Sequence, residues 1–304
     1  MTLFLQTTYL SAALSLLYIF LLYRSHPYRR LPTVSTIAAF VAGMVAVVVV
    51  VIVRRLVPIG PIESSASALF AAAAIEEAAK LALAMATIWH LRFPNVAEPI
   101  DFAILFGVVG IGFGIYEDFW YIFSATYSSW VAGDAGRFDE VFRLIVLARA
   151  FPGHILFNAI SGFLLGYAYF KRRAGQKGFW ILLTLLVGVF LHAGFNGIAV
   201  AGEAPLLLAY VVLLIGVYIG LRRVAAVRSP IALLIRHIRQ EEGAEVWTLD
   251  RSPAEYLLAE GFDWPAKRRG GLFQFYPVIL SLAILFPLLL IAVYFANRAV
   301  WAIL

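Results

Sequence analysis

Cysteine is absent from this 304-residue chain, which excludes disulfides, a thiol nucleophile and thiolate metal sites. Charge is scarce as well: Asp, Glu, Lys and Arg make up 14% of the residues, where a soluble globular domain carries about a quarter. No internal repeat stands out, which weakens readings as an inverted-repeat transporter. The first apolar run lacks a basic leader and a small-residue cleavage site, so it reads as a retained span and not a signal peptide. What fills the chain is hydrocarbon, with 62% hydrophobic residues and a mean hydropathy of +0.89. These values imply an all-α, polytopic membrane bundle. The net charge of +6 and isoelectric point near 9.6 do not point to nucleic acid, because the basic residues flank apolar runs as membrane topology requires.

A helix needs about 20 apolar residues to cross the hydrocarbon core. Eight runs meet that measure: 2–23, 34–53, 66–90, 100–123, 143–170, 178–201, 204–221 and 275–298. Arg24, Arg29 and Arg30 follow the first, and Lys171, Arg172, Arg173 and Lys177 follow the fifth. Arg222, Arg223 and Arg228 follow the seventh, and Lys267, Arg268 and Arg269 precede the eighth. If the spans alternate, all four clusters share one side, which the positive-inside rule makes cytoplasmic. Both termini then face out, as does the 124–142 loop with Asp134, Asp139 and Glu140. Arg54 and Arg55 are the misfit, falling on the outer side. The expected organisation is a membrane bundle over 1–221, a cytoplasmic helical loop over 222–274 and a final span within 275–304. In that loop Ser229 and Pro230 mark one helix start, and Ser252, Pro253 and Glu255 form a capping box at a second. Ile231, Leu234, Ile235 and Ile238 recur at helical spacing, as in a helix lying on the inner surface or a plain connector.

Against this background the polar residues inside spans stand out. Each charge near a helix centre costs about 2.5–3.5 kcal/mol on insertion scales. The third span nevertheless carries Glu76, Glu77 and Lys80, and the fourth Glu117 and Asp118. The fifth holds Arg149, His154 and Asn158, and the sixth His192 and Asn196. On the expected topology, at about 1.5 Å per residue, Glu76, Glu117, His154, His192 and Asn196 all lie between the midplane and the outer surface. They are expected to converge on one outward-opening cavity. Glu76 precedes Lys80 by four residues, the favourable order for an ion pair, and each His stands one turn from its Asn. Gly107, Gly110 and Gly114 in one span and Gly162 and Gly166 in the next permit close helix packing.

The chemistry these groups offer is hydrolysis without Ser or Cys. Two adjacent carboxylates in a low dielectric do not both ionise easily, so one can take a proton from water and return it to a leaving amine. A His with an Asn one turn away supplies two donors for an oxyanion. Other polar residues have plainer readings. Lys80 serves equally well as a charge partner, and Arg149 as a neutralising or snorkelling cation. Asn158 reads as helix glue, while Asp118 and Asp101 read as structural. Trp89 and Trp120 read as interfacial anchors.

In order and spacing these residues resemble the PrsW family of membrane-embedded proteases, related to the CAAX-protease and abortive-infection superfamily. The shared elements are EExxK at Glu76, Glu77 and Lys80, then GxGFxxxE through Gly112, Phe113 and Glu117. A histidine-bearing helix with Arg149 and His154 follows, and then HxxxN at His192 and Asn196. Together they cover a catalytic core over 66–201. The resemblance implies a multi-pass endopeptidase of a prokaryotic cell membrane that cleaves single-span proteins, such as anti-sigma factors, near the extracytoplasmic face. It implies that Glu76 activates water beside Glu77 and that His192 and Asn196 form the oxyanion hole. Where the CAAX branch has a histidine in its second motif this chain has Glu117, and His154 is placed to take over that role. Zinc is the metal the set Glu76, Glu77, Glu117, His154 and His192 could ligate. The competing class is a proton- or cation-coupled transporter using the same acids and histidines as a relay. A third reading is an inert sensor whose polar cluster only specifies helix pairing.

Overall fold

The computed structural model describes residues 2–26, 31–57, 65–89, 98–134, 136, 139, 140, 142, 153–170 and 174–227. The chain divides into two compact units, Met1–Tyr256 and Leu257–Leu304, and every described element belongs to the first. Those elements are all helical, with no strand among the described residues. They are α1 (Thr2–Arg24), α2 (Thr33–Leu56) and α3 (Ala66–Ala84), the last continued by a π-helical turn at Met85–Trp89. Then come α4 (Pro99–Val131), α5 (Gly153–Phe170), α6 (Ala174–Val200) and α7 (Ala204–Val227).

The helices follow the apolar runs closely, though α4 continues past residue 123 to Val131 and α7 past residue 221 to Val227. Residues 143–152 of the fifth run, the rest of the expected cytoplasmic loop and the eighth run lie outside the described residues. Among the described residues, four helices are long and apolar enough to cross a membrane: Thr33–Leu56, Pro99–Val131, Gly175–Val200 and Ala204–Ala226. Helix α3 departs from that apolarity because it carries Glu76, Glu77 and Lys80.

Local chemistry explains where the helices begin. Ser65 is extended, and its hydroxyl accepts the Ala68 N–H at 3.1 Å, capping α3. Helix α4 starts with Pro99 in its first turn, where the Glu98 carbonyl accepts the Asp101 N–H at 3.0 Å and Asp101 Oδ2 accepts the Glu98 N–H at 2.9 Å. Arg54 and Arg55 occupy the last turn of α2, where the helix dipole favours cations. The turn from α6 to α7 passes through Gly202 at φ 73°, a left-handed conformation that glycine adopts without steric cost.

Helix α4 is the central post, packed against α1, α2 and α5. Within its apolar stretch 78% of the residues are buried, against 22% for α7 among the described residues. Glycine sets the closeness of the α4–α5 contact. A Cβ on Gly110 would stand 2.5 Å from the His154 carbonyl oxygen, and one on Gly162 would stand 2.8 Å from Ala103 Cα. Gly43 and Gly112 play the same part between α2 and α4, each backing onto a carbonyl of the other helix. This close approach carries His154 of α5 against Glu117 of α4.

Candidate active site

Five helices deliver polar side chains to one buried cluster. Glu76, Glu77 and Lys80 come from consecutive turns of α3, and Glu117 from α4. His154 and Asn158 come from α5, His192 from α6 and Arg54 from the end of α2. Glu76, Glu77, Lys80 and His192 are all buried, Lys80 completely.

The two glutamates have different surroundings. Glu77 is saturated. Its Oε1 pairs with Lys80 and accepts from His192 Nδ1 at 2.9 Å, while its Oε2 accepts from Asn158 Nδ2 at 3.3 Å. Gly188 of α6 makes room for it, since a Cβ there would lie 3.2 Å from Glu77 Oε2. Glu76 is only half engaged. Arg54 donates to its Oε1 at 2.6 Å, and its buried Oε2 accepts no hydrogen bond among the described residues. That oxygen faces His192 Nε2 at 3.6 Å.

The network also assigns the imidazole protons. Lys80 Nζ, a donor only, contacts His154 Nδ1 at 3.2 Å, so the ring hydrogen sits on Nε2 and is donated to Glu117 Oε2 at 2.6 Å. His192 donates from Nδ1 to the ionised Glu77, which leaves the lone pair of Nε2 directed toward Glu76. The His154 and His192 rings meet edge to face at 4.7 Å, and Phe157 stacks on His192 at 5.4 Å. Phe113 lies 4.6 Å from the Lys80 ammonium, a cation–π contact that offsets part of the cost of its burial.

Asn196 and Asp118 do not join this carboxylate cluster. They line an adjoining crevice with Tyr18, Ile111, Phe157 and one side of His154. His154 thus separates the buried carboxylates from a recess between α1, α4, α5 and α6. Arg149 lies outside the described residues. Sequence reasoning missed Arg54 as a member of the site, although its misfit to the charge rule was the available signal. It also read Asn158 as helix glue, because nothing in one dimension shows that it reaches Glu77.

A family model described as PrsW family intramembrane metalloprotease matches residues 31–221. The chain belongs to the PrsW family of intramembrane metalloproteases. Comparison with curated proteins and with solved structures returns no match.

The PrsW site has a donor set that fits a metal ion. Glu76, His154 and His192 each offer a ligand atom, and these atoms lie within 4.8 Å of one another. A carboxylate oxygen without a hydrogen bond facing an imidazole lone pair at 3.6 Å is an arrangement a cation would stabilise. Two histidines and one carboxylate suit zinc. Glu77 behind His192 and Glu117 behind His154 supply the carboxylate–histidine pairing that orients such ligands. Both His154 nitrogens are engaged, so ligation through that ring exchanges one of its contacts, with Lys80 or with Glu117, for the ion.

Proposed function

We propose that this membrane-embedded protease is an endopeptidase of a prokaryotic cell membrane. On this reading it hydrolyses a peptide bond of a single-span membrane protein, of the anti-sigma-factor kind, near the extracytoplasmic face. Glu76 is the general base. The observation that carries the reading is Glu76 Oε2, a buried carboxylate oxygen with no hydrogen bond among the described residues, beside a fully engaged twin. Arg54 holds Oε1, so Oε2 is the atom left to take a proton from water. The hydroxide so formed attacks the scissile carbonyl, and the proton on Glu76 passes to the departing amine as the C–N bond breaks. Glu77 does not share this work, because its three donors hold it ionised and use it to orient His192. Asn196, on the crevice wall, is the side-chain donor available to an oxyanion formed beside His154. In the zinc-dependent form Glu76, His154 and His192 would hold the ion, which would supply a Lewis acid for the water and the carbonyl, and Glu76 would then serve as a ligand in place of a base.

A transmembrane proton relay receives less support. Asp101 lies about 24 Å along α4 from Glu117 at 1.5 Å per residue. Along α4 between them the buried Leu105, Phe106 and Val109 offer no titratable side chain.

The test is cleavage of a single-span substrate reconstituted in liposomes with wild type, Glu76→Gln, Glu77→Gln and His192→Ala. Loss of the base is expected to lower the rate about 100- to 10,000-fold in Glu76→Gln. Unchanged cleavage in all three variants would end this reading. Full activity in a metal-free preparation would end its zinc-dependent form alone.

A further inference from the structure

The structure holds a second buried cluster of ligating groups, at the opposite end of α4 from the proteolytic site. His26 follows α1, Glu98 caps α4, and Asp101 lies in the first turn of α4. All three are buried, with side-chain exposures of 0%, 2% and 0%. His26 Nε2 stands 3.0 Å from Asp101 Oδ1 and 3.4 Å from Glu98 Oε1. One atom from each residue falls within 4.8 Å of the others.

The protons do not close this arrangement. Nε2 carries at most one hydrogen, and the nearer oxygen, on Asp101, takes it. Glu98 Oε1 is then left buried with no hydrogen bond among the described residues. Its backbone N–H is held by Asp101 Oδ2 at 2.9 Å, which fixes the residue at the start of α4. A buried carboxylate in that state is costly. An ion between these side chains would give that oxygen a partner.

The separations also suit an ion. Tetrahedral zinc bonds of about 2.0–2.2 Å put neighbouring ligand atoms about 3.3–3.6 Å apart. The two contacts made by His26 Nε2 bracket the lower end of that range. We propose that His26, Glu98 and Asp101 form a structural site for a divalent transition ion such as zinc, separate from the proteolytic centre. The ion would fasten the corner after α1 to the start of α4. That corner is already a junction. Ser25 Oγ bonds the Tyr218 hydroxyl at 2.8 Å, and the Ser25 carbonyl accepts from Arg222, both from α7. The site lies apart from Glu76 and His192 along α4, so the ion's role would be structural.

The experiment uses the full chain purified in detergent, stripped with chelator, loaded with zinc or cobalt(II), desalted and assayed for bound metal. Wild type is expected to retain two ions per chain. His26→Ala and Glu98→Gln are expected to retain one, and so is His192→Ala. Glu98→Gln keeps the size of the side chain and the backbone N–H that Asp101 Oδ2 accepts, so it tests the ligand without removing the α4 cap. In His192→Ala, cobalt should still give visible d–d absorption and zinc should still raise the unfolding temperature. Both effects should vanish in His26→Ala/His192→Ala. Retention of a single ion that His192→Ala abolishes and Glu98→Gln leaves in place would overturn the proposal and spare the proteolytic metal. A single ion lost in Glu98→Gln and kept in His192→Ala would support this site while removing the metal from the proteolytic one.

Discussion

Glu76 and Glu77 are adjacent in the chain but differ in what the fold gives them. Glu77 points to three donors from three helices, and Glu76 to one arginine and an imidazole lone pair. The difference follows from the 100° between successive helical residues, which turns one side chain toward α5 and α6 and the other toward the end of α2. Arg54 is the residue whose role is most exposed to test. Its guanidinium is about one third accessible, so the pair gains from solvent screening less than a fully buried one would. A charged hydrogen bond of this kind is worth about 1.5 kcal/mol, or tenfold. Arg54→Gln is expected to slow cleavage about tenfold in the liposome assay without lowering the unfolding temperature comparably. Arg54→Lys should recover only part of the rate, because an ammonium lacks the planar fork that fixes a carboxylate oxygen. Equal rates for all three proteins would remove Arg54 from the site.

At the scale of helices, the site depends on how closely α4 and α5 approach. Gly110 and Gly162 keep that distance short, and His154 reaches Glu117 only because of it. A side chain forced into such a contact costs about 1–3 kcal/mol, and more where backbone is the obstacle. Gly162→Val is expected to destabilise the protein by at least that amount and to reduce cleavage, since Ala103 Cα and the Phe102 carbonyl block the new methyls. Gly216→Val on α7 should be nearly neutral, because no described residue lies within 4 Å of its Cβ position. Thermal unfolding of the two variants in one detergent compares them directly. A larger loss at Gly216 would mean that α7, not the α4–α5 contact, carries the bundle.

For the whole molecule, the absence of cysteine becomes an experimental advantage. Single cysteines placed by substitution report topology against no background. Asp134→Cys and Glu203→Cys are expected to react with a membrane-impermeant thiol reagent in intact cells. Lys177→Cys should react only after the membrane is opened, because basic loops stay in the cytoplasm. Labelling of Lys177→Cys from outside would invert the orientation and put the Glu76–His154–His192 cluster in the inner half of the bilayer. The buried apolar residues along α4 make that orientation consequential, since they lie between that cluster and the His26–Glu98–Asp101 cluster.

Much of this was legible in one dimension. Apolar runs of membrane length located the described helices to within a few residues, since lipid leaves a backbone little choice but to satisfy its own hydrogen bonds as helix. The cost of charge in hydrocarbon marked Glu76, Glu77, Lys80, Glu117, His154 and His192, and their order along the chain carried the family. Which of them pair was not legible. His26 and Asp101 are 75 residues apart and Glu77 and His192 are 115 apart, and neither pairing has a local signature. Pairing depends on how each helix is rotated about its axis and on the rotamer each side chain takes toward its neighbour. The sequence alone determined a membrane helical bundle with buried acids and histidines. Only the packing of five helices decided that Glu77 is saturated, that Glu76 keeps an oxygen without a hydrogen bond among the described residues, and that Arg54 belongs with them.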